Sequence, residues 1–226
     1  MAEPATIDEV HRRYKEERDK RLRADGNDQY IAAEGVFSHY VDDPYVPRRA
    51  RDPIVDSPDT AVDVAFIGGG FAGLLTGAAL RQAGIGRVRL IDKGGDVGGT
   101  WYWNRYPGAR CDIESVQYSY QFSDELQRDW TWSERYASQP ELLRYIEHVA
   151  DRFDLRRHIT FGTRVETAAF DDRTHEWTID TRSREPGGGE TLRARFLLLG
   201  VGVLSTTNTP AFDGLEDFGG RTFHTG

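Results

Sequence analysis

The sequence predicts an α/β fold in which a parallel sheet is flanked by helices and extended by a β-meander. Three observations support this prediction. A short apolar run begins at Ala61 and leads into a glycine cluster and an apolar helical stretch. A second apolar run ends at Asp92 and completes a strand–helix–strand unit of about thirty residues. From Ile159 onward the hydrophobic period falls towards two, which is typical of antiparallel strands.

Composition and charge narrow the class of protein. Of the 226 residues, 38% are hydrophobic and 29% are charged, and the net charge is −8. This acidity argues against nucleic acid as a partner. No apolar run approaches the roughly 18 residues that a membrane span needs, and the N-terminus lacks a signal-peptide pattern. We therefore expect a cytoplasmic protein without a membrane span. One cysteine and scattered histidines argue against a disulfide or a metal site.

Residues 1–60 are predicted to form an N-terminal extension. Residues 8–25 carry dense charges of both signs, which indicates a solvated helix. Three oppositely charged pairs have i,i+4 spacing: Glu16/Lys20, Glu17/Arg21 and Asp19/Arg23. Four prolines within residues 43–59 indicate an extended linker. The remaining residues, 61–226, are predicted to form one domain.

The first strand and helix of that domain follow directly from the pattern of apolar residues. The strand is a buried parallel one, since its apolar run is nearly continuous: Val62, Val64, Phe66 and Ile67. The predicted helix contains a group of apolar residues and ends near Gly84. These residues are Leu74, Leu75, Ala78, Ala79 and Leu80. The next strand holds Val88, Leu90 and Ile91.

The later elements are predicted by capping and alternation. Ser138 and Glu141 have the spacing of a capping box before a helix. That helix has an apolar face of Leu142, Leu143, Ile146, Val149, Ala150 and Phe153. Strands are predicted at 160–161, 165–170, 177–181 and 194–199, with a hairpin connection at 187–189 between the last two. We expect Leu197, Leu198 and Leu199 to be buried.

The glycine cluster has the G-x-G-x-x-G spacing of a dinucleotide-binding loop. Gly68 allows a tight turn, Gly70 lets the backbone approach a pyrophosphate, and Gly73 lets the helix pack closely on the strand. Asp92, which lies 24 positions after Gly68, is placed to accept hydrogen bonds from ribose hydroxyls and to repel a 2′-phosphate. The pattern therefore predicts a Rossmann-like domain that binds FAD or NAD and disfavours NADP.

A second segment is unusually aromatic. Residues 101–136 hold ten of the chain's 26 aromatic residues, with glycines, a proline and arginines between them. A core built from aromatic side chains is one interpretation. We favour a loop that wraps a flat polar ligand.

Residues 98–112, followed by Ile113, Glu114 and Ser115, resemble the signature segment of Baeyer–Villiger monooxygenases, in particular the phenylacetone monooxygenase group. The resemblance begins near Asp63 and includes residues 138–146. Phe218, Gly220 and His224 match the first seven positions of the family fingerprint F-x-G-x-x-x-H-x-x-x-W, and the chain stops at Gly226, before the tryptophan position. One departure is Gly200-Val201-Gly202, where the family has a small residue, Thr or Ser, and Gly.

This resemblance implies an FAD-dependent, NADPH-using monooxygenase. Such enzymes insert one oxygen atom of O2 beside a ketone carbonyl and form an ester or lactone through a peroxide at the flavin C4a carbon. NADPH binds mainly to a second Rossmann domain that these 226 residues lack, so the FAD-binding domain is expected to be incomplete. The small-molecule partners implied are a ketone and O2.

The resemblance also assigns residues. Asp92 binds the FAD ribose, and Val165 contacts the adenine end. The flavin is lined by Thr100, Trp101, Tyr102 and Trp103, with Asp112 and Tyr118 also in contact. Nicotinamide-side contacts match Arg110, Cys111 and Asp112. Asp112 is the expected catalytic position because the matching aspartate orients an arginine beside the peroxide. His224 couples domains in the family, and we expect Cys111 to be a buried thiol without redox function.

Two other functions are open. A sister flavin monooxygenase that oxidises nitrogen or sulfur shares the Rossmann motif. Alternatively, the chain is a truncated FAD-binding fragment without catalytic activity, with apolar surface left uncovered. We expect these 226 residues alone not to oxidise NADPH.

Overall fold

The computed structural model describes residues 6–31, 33–46, 61–183 and 188–224. The described residues form two compact units. One unit combines residues up to Tyr40 with Thr207–Thr222, and the other contains Val41–Thr206 and the residues from Phe223 onward. Most of the predicted 43–59 linker, and the predicted boundary at residue 60, lie outside the described residues. The division at that boundary stays a prediction.

The smaller unit contains the predicted charged helix. Helix α1 spans Ile7–Asp19, its N-cap Thr6 accepts a hydrogen bond from the Glu9 amide, and it buries none of its side chains. Of the three predicted ion pairs, Glu17/Arg21 is confirmed at 3.8 Å, whereas Glu16 pairs with Arg12 and Asp19 pairs with Arg18. This unit also pairs strand β1 (Tyr30–Ile31) with a later strand, Thr209–Pro210, and contains 3-10 helices at Gly26–Gln29 and Gly35–Val41.

The larger unit is built on one six-stranded mixed sheet. Its strands are β2 (Ala61–Ile67), β3 (Val88–Ile91), β4 (Ile159–Thr160), β5 (Thr163–Asp171), β6 (Glu176–Ser183) and β7 (Thr191–Leu199), and the strand of the smaller unit at Thr209–Pro210 is β8. The order across the sheet is β4-β3-β2-β7-β6-β5. The helices are α2 (Phe71–Gln82), α3 (Thr100–Trp103), α4 (Asp124–Asp129) and α5 (Gln139–Arg152), with a 3-10 helix at Arg156–His158. Among the described residues no helix is long and apolar enough to cross a bilayer.

The predicted strand–helix–strand unit is confirmed. β2 pairs in parallel with β3, with Val64 opposite Val88 and Ile67 opposite Ile91. β7 pairs in parallel with the other edge of β2, and β4 pairs in parallel with β3. Because the connection between β2 and β3 is α2, the sheet has the α/β architecture that the sequence predicts.

Two apolar clusters hold this unit together. The larger cluster joins β2 and β3 to α2 and α5 through side chains such as Phe66, Leu74, Leu90 and Ile146. The smaller cluster joins Ala65 and Ile91 to Ile179 and Leu192 of the meander strands. Helices therefore cover one face of the parallel strands, and side chains from β6 and β7 of the same sheet pack against residues on the other face.

Helix α5 begins where the sequence predicts, but for a different reason. Ser138 occupies the N-cap position, yet its side chain makes no capping hydrogen bond to any residue that the structure describes. Glu141, the expected partner, instead accepts hydrogen bonds from the Ser133 amide at 2.9 Å and from the Ser133 hydroxyl at 2.7 Å. The predicted capping box is therefore wrong, because a tertiary contact takes the glutamate that the box requires.

The meander follows the prediction closely, with antiparallel pairs β5–β6 and β6–β7. Residue 187 of the predicted hairpin connection lies outside the described residues. The expected burial of residues 197–199 is wrong for Leu198 and Leu199, which are exposed, as is Phe196. Leu197 is half-buried and packs against the smaller apolar cluster, to which β7 also contributes the buried Leu192 and Ala194.

Candidate dinucleotide site

The turn between β2 and α2 has no room for side chains. Gly68 has φ of +120°, and a Cβ there would lie 2.3 Å from the carbonyl oxygen of Gly200. A Cβ on Gly73 would lie 2.0 Å from the carbonyl oxygen of Gly68. The chain therefore needs glycine at both positions, one for the turn and one for the close packing of helix on strand.

A second glycine pair lies directly against the first loop. The amide of Gly98 donates to the carbonyl of Gly69 at 3.1 Å, and a Cβ on Gly70 would lie 3.3 Å from the Cα of Gly99. Gly70 is the N-cap of α2, whose first amides point out of the helix end. The two glycine segments form a backbone cradle with the positive end of the α2 dipole beside it, which suits a pyrophosphate.

Asp92 lies at the carboxyl end of β3, beside this cradle. Its Oδ2 accepts a hydrogen bond from the Gly69 amide at 2.5 Å, and its Oδ1 accepts one from the Gly94 amide at 2.6 Å. Burial raises the pKa of Asp92, while the two amide donors lower it and the nearby charge of Asp43 raises it further. Each carboxylate oxygen can accept a second hydrogen bond, so Asp92 can still bind ribose hydroxyls.

The aromatic segment is more core than loop. Thr100–Trp103 form the short helix α3, in which the side chains of Trp101 and Tyr102 are buried. The Trp101 Nε1–H donates to the Tyr118 hydroxyl at 3.0 Å, and the two rings meet edge to face. The expectation of a wrapping loop is therefore corrected at these positions: Trp101 and Tyr102 pack inward, and their flavin contacts stay a prediction. Thr100, Trp103 and Tyr118 are half-buried.

Gln139 is a buried residue beside α3 that the sequence pattern did not identify. Its buried side chain donates to the Trp101 carbonyl at 2.5 Å, and its amide donates to the Ala109 carbonyl at 2.9 Å. The start of α5 thereby fixes both α3 and the segment before Arg110. Its place one residue after a helix N-cap was visible in the sequence, but its long-range partner was not.

The three predicted nicotinamide-side residues have different environments. Arg110 forms an ion pair with Glu134 at 2.7 Å and donates to the Tyr136 carbonyl. Cys111 is buried, as expected of a structural thiol. Asp112 is exposed, and it raises the pKa of the half-buried Tyr118, for which burial is the larger cause. The fold thus brings Asp112 and Tyr118 near each other, and their roles stay predictions.

The remaining predicted positions are spread across both units. Val165 is half-buried at an irregularity in the β5–β6 pairing, next to Thr167. Phe218 is exposed, and its ring packs on Gly220, both within the smaller unit. His224 is half-buried and groups with the larger unit.

Gly200, the first residue of the segment in which the sequence departs from the family triplet, is a site of close packing. Its amide donates to the Ile67 carbonyl at 2.8 Å, and a Cβ there would lie 2.3 Å from the Phe66 ring. Gly200 therefore packs closely against the carboxyl end of β2.

The geometry fits a dinucleotide such as FAD. The backbone cradle that Cβ atoms would fill matches a pyrophosphate, and the buried carboxylate of Asp92 matches a ribose. Among the described residues no group of acidic, histidine and cysteine side chains is arranged to hold a metal ion.

Comparison with known proteins agrees with this geometry. Residues 67–129 match the family model of an NAD(P)-binding Rossmann-like domain. The chain is 42% identical to a Baeyer–Villiger monooxygenase of Streptomyces coelicolor over 98% of its own length and 35% of the relative's. It is 43% identical to a phenazine N-monooxygenase of Lysobacter antibioticus over 76% of the chain and 31% of that relative.

A solved structure gives the same result. The crystal structure of cyclohexanone monooxygenase from Rhodococcus sp. Phi1 bound to NADP+ is 44% identical, with a TM-score of 0.69, over 75% of this chain and 31% of that one. The chain thus spans about a third of the length of the relatives that it matches. The α/β, Rossmann-like fold that the sequence predicts is confirmed.

Proposed function

We propose that this chain, which is homologous over 98% of its length to a Baeyer–Villiger monooxygenase, forms the FAD-binding part of an enzyme of that kind. The complete enzyme would use NADPH and O2 to insert one oxygen atom beside a ketone carbonyl. It would release an ester or a lactone. Because the chain spans 35% of that relative, this activity is proposed for a longer polypeptide, and the 226 residues alone are expected not to oxidise NADPH.

The observation that carries the proposal is the meeting of the two glycine segments with Asp92. Gly69 is held from both sides, since its amide donates to Asp92 and its carbonyl accepts from Gly98. This arrangement places a helix N-terminus and a carboxylate a short distance apart at the carboxyl end of the parallel strands, where α/β folds bind their ligands.

The residues of this chain have three tasks in the proposal. The cradle at Gly70 binds the pyrophosphate, and Asp92 binds the adenosine ribose. FAD, when bound, supplies the redox chemistry, and the protein supplies position and charge. The carboxylate of Asp112, which is exposed in this chain, would orient a cationic side chain from another part of the longer polypeptide, because a nearby opposite charge favours the charged form of each group.

Binding of FAD to the chain tests the first part of the proposal. Adding the chain to FAD should quench and shift the flavin fluorescence and absorption with one-to-one stoichiometry. Asp92→Asn should weaken binding at least about tenfold, because it removes a charged acceptor. Gly86→Ala, which changes an exposed turn, should bind like the wild type. Equal binding by wild type and Asp92→Asn would contradict the assignment of the ribose site.

The reaction is tested with a chimera in which these residues replace the matching segment of the Streptomyces coelicolor relative. Oxygen insertion into cyclohexanone, with one NADPH consumed for each lactone formed, is the expected result. The FAD content of the chimera serves as the control for folding. A chimera that binds FAD fully but forms no ester or lactone from a panel of ketones would contradict the proposal.

Nitrogen oxidation is the second candidate function. The phenazine N-monooxygenase of Lysobacter antibioticus is 43% identical over 76% of the chain, so this segment alone is compatible with that chemistry. The same chimera distinguishes the two: formation of an N-oxide from phenazine without lactone from ketones would favour nitrogen oxidation.

A further inference from the structure

Residues 43–46 lie across the loop that follows β3, and we call them the 43–46 strap. They precede β2 in the chain and belong to the same unit as the dinucleotide site. A Cβ on Gly95 would lie 2.5 Å from the Cγ2 of Val46, so the strap is in van der Waals contact with the loop. The sequence suggested only an extended linker here.

Asp43 is the polar centre of the strap. Only 6% of it is exposed. Its Oδ2 accepts hydrogen bonds from the Gly95 amide at 2.8 Å and from the Tyr102 hydroxyl at 2.7 Å, and its Oδ1 accepts one from the Tyr45 amide at 2.9 Å. Because burying a carboxylate is costly unless it is hydrogen-bonded, these donors are required and not incidental.

The hydrogen bond from the Gly95 amide to Asp43 is important because Gly95 directly follows another amide that is bound by a buried carboxylate. The neighbouring amide of Gly94 donates to Asp92, so two buried carboxylates hold two consecutive amides of one loop. The bond to Tyr102 reaches the other end of the segment, in α3. The Oδ2 atom of Asp43 therefore accepts hydrogen bonds from both the loop that follows β3 and helix α3.

Tyr45 and Arg105 reinforce the strap. The Tyr45 hydroxyl donates to the carbonyl of Trp103 at 3.1 Å. The Arg105 guanidinium lies 3.7 Å from the centre of the Tyr45 ring and 4.9 Å from that of Tyr102. Its Nε–H also donates to the Tyr102 carbonyl at 2.7 Å. These contacts bind the strap to the C-terminal end of α3.

We infer that Asp43 is a positioning residue of the flavin site, which holds the Gly94–Gly95 loop and Tyr102 in the arrangement that FAD binding requires. This inference rests on the proposed function. Asp43 acts through its neighbours: it fixes the loop that carries Asp92 and the helix that follows Gly99. A site that is organised before the ligand arrives binds more tightly, because less conformational entropy is lost on binding.

Hydrogen exchange of the whole chain without FAD tests the positioning itself. Asp43→Asn should speed amide exchange at Gly94 and Gly95 about tenfold, because loss of one charge-assisted hydrogen bond raises the equilibrium constant for local opening by about that factor. Asp172→Asn is the matched control, since it makes the same change at an exposed turn between β5 and β6. It should leave this exchange unchanged.

FAD affinity tests the link to the cofactor. Asp43→Asn should raise the FAD dissociation constant about tenfold, and Tyr102→Phe, which removes only the hydroxyl, should raise it by a smaller factor. If Asp43 acts partly through Tyr102, Asp43→Asn should have less effect in the Tyr102→Phe background than in the wild type. A purely structural role would give additive effects. If the Asp43→Asn variant does not fold, the Tyr102→Phe variant alone tests the inference. The inference then requires that Tyr102→Phe raise the FAD dissociation constant.

The outcomes separate this inference from the proposed function. Unchanged exchange at Gly94 and Gly95 overturns the inference. Unchanged FAD affinity of the Asp43→Asn variant also overturns the inference. FAD binding by the wild-type chain would still support the proposed function in that case. Absence of FAD binding by the wild-type chain overturns the proposed function, and the cofactor role of Asp43 falls with it.

Discussion

At Gly73 a single methyl group decides whether the first turn of α2 can pack on the strand before it. The Cβ of any other residue would meet the backbone oxygen of Gly68, which no side-chain rotation can move. Gly68 directly follows β2, and its amide donates to the Ile91 carbonyl at 2.8 Å, so its backbone has little freedom to move away. The glycine spacing in the sequence therefore indicates close packing of the helix on the strand as well as ligand binding.

Gly73→Ala should lower the free energy of unfolding by about 1–3 kcal/mol or more, because the added methyl group overpacks the contact with Gly68. Urea denaturation of the two variants measures this. Gly86→Ala is the control: a Cβ there meets no described atom within 4 Å, so its stability should match or slightly exceed that of the wild type. Equal stabilities for the two variants would mean that the loop can relax around the methyl group.

Asp92 gives a prediction for pH dependence. Burial raises its pKa in the folded chain above the value of about 3.9 that it has when unfolded. The folded state thus holds this proton more tightly, so the contribution of Asp92 to stability is complete below pH ~4 and is lost as pH rises through the folded pKa.

The comparison with Asp92→Asn isolates the effect of this carboxyl group and of the neighbouring charges coupled to it, because more distant groups titrate alike in both chains. The free energy of unfolding of the wild type minus that of the variant should fall as pH rises from about 4 to neutrality. Urea denaturation at a series of pH values provides the measurement. A difference that rises with pH would show that the amide donors of Gly69 and Gly94 outweigh burial.

At the scale of elements, the start of α5 was predicted at the correct position but for an incorrect reason. The apolar face begins where the sequence predicts, and it also buries Tyr145, whose hydroxyl accepts the Tyr120 amide at 2.8 Å. The helix start is held by Glu141 and Gln139, which bond to Ser133 and Trp101. Tertiary partners have replaced the local cap.

Glu141→Ala should therefore cost about 1–3 kcal/mol of unfolding free energy, because it leaves the Ser133 amide and hydroxyl without their buried acceptor. Ser138→Ala should cost less than about 0.5 kcal/mol, since its hydroxyl makes no capping bond to the described residues. The urea denaturation midpoints of the two variants measure these losses of stability. A larger loss of stability for Ser138→Ala than for Glu141→Ala would support the capping box.

At the scale of the larger unit, the sheet is covered unevenly. Leu192 in β7 is 2% exposed, whereas Leu199 in the same strand is 68% exposed. Phe196 and Leu198 lie on one face of β7 and Leu199 lies on the opposite face, and all three are exposed. Exposed apolar side chains of this kind mark surfaces that associate with other apolar surfaces.

The two leucines form a matched pair for testing this. Leu192→Ala should cost about 2–5 kcal/mol, because it leaves a cavity in the smaller apolar cluster. Leu199→Ala should change stability by no more than about 0.5 kcal/mol but should reduce binding of a hydrophobic dye and self-association in light scattering. Equal destabilisation by both variants would mean that Leu199 is covered in solution.

The amino-acid sequence by itself determined the order of the elements, the turn at Gly68 and the acid at the end of β3. These features depend on residues close together in the chain, where periodicity and backbone sterics act directly. The tertiary structure alone decided the partners of Asp43, Glu141 and Gln139, because each hydrogen-bonds to a residue whose proximity arises only on folding. It also decided which leucines of β7 are buried, since apolar character indicates only that a residue can be buried, and packing determines whether another element covers it.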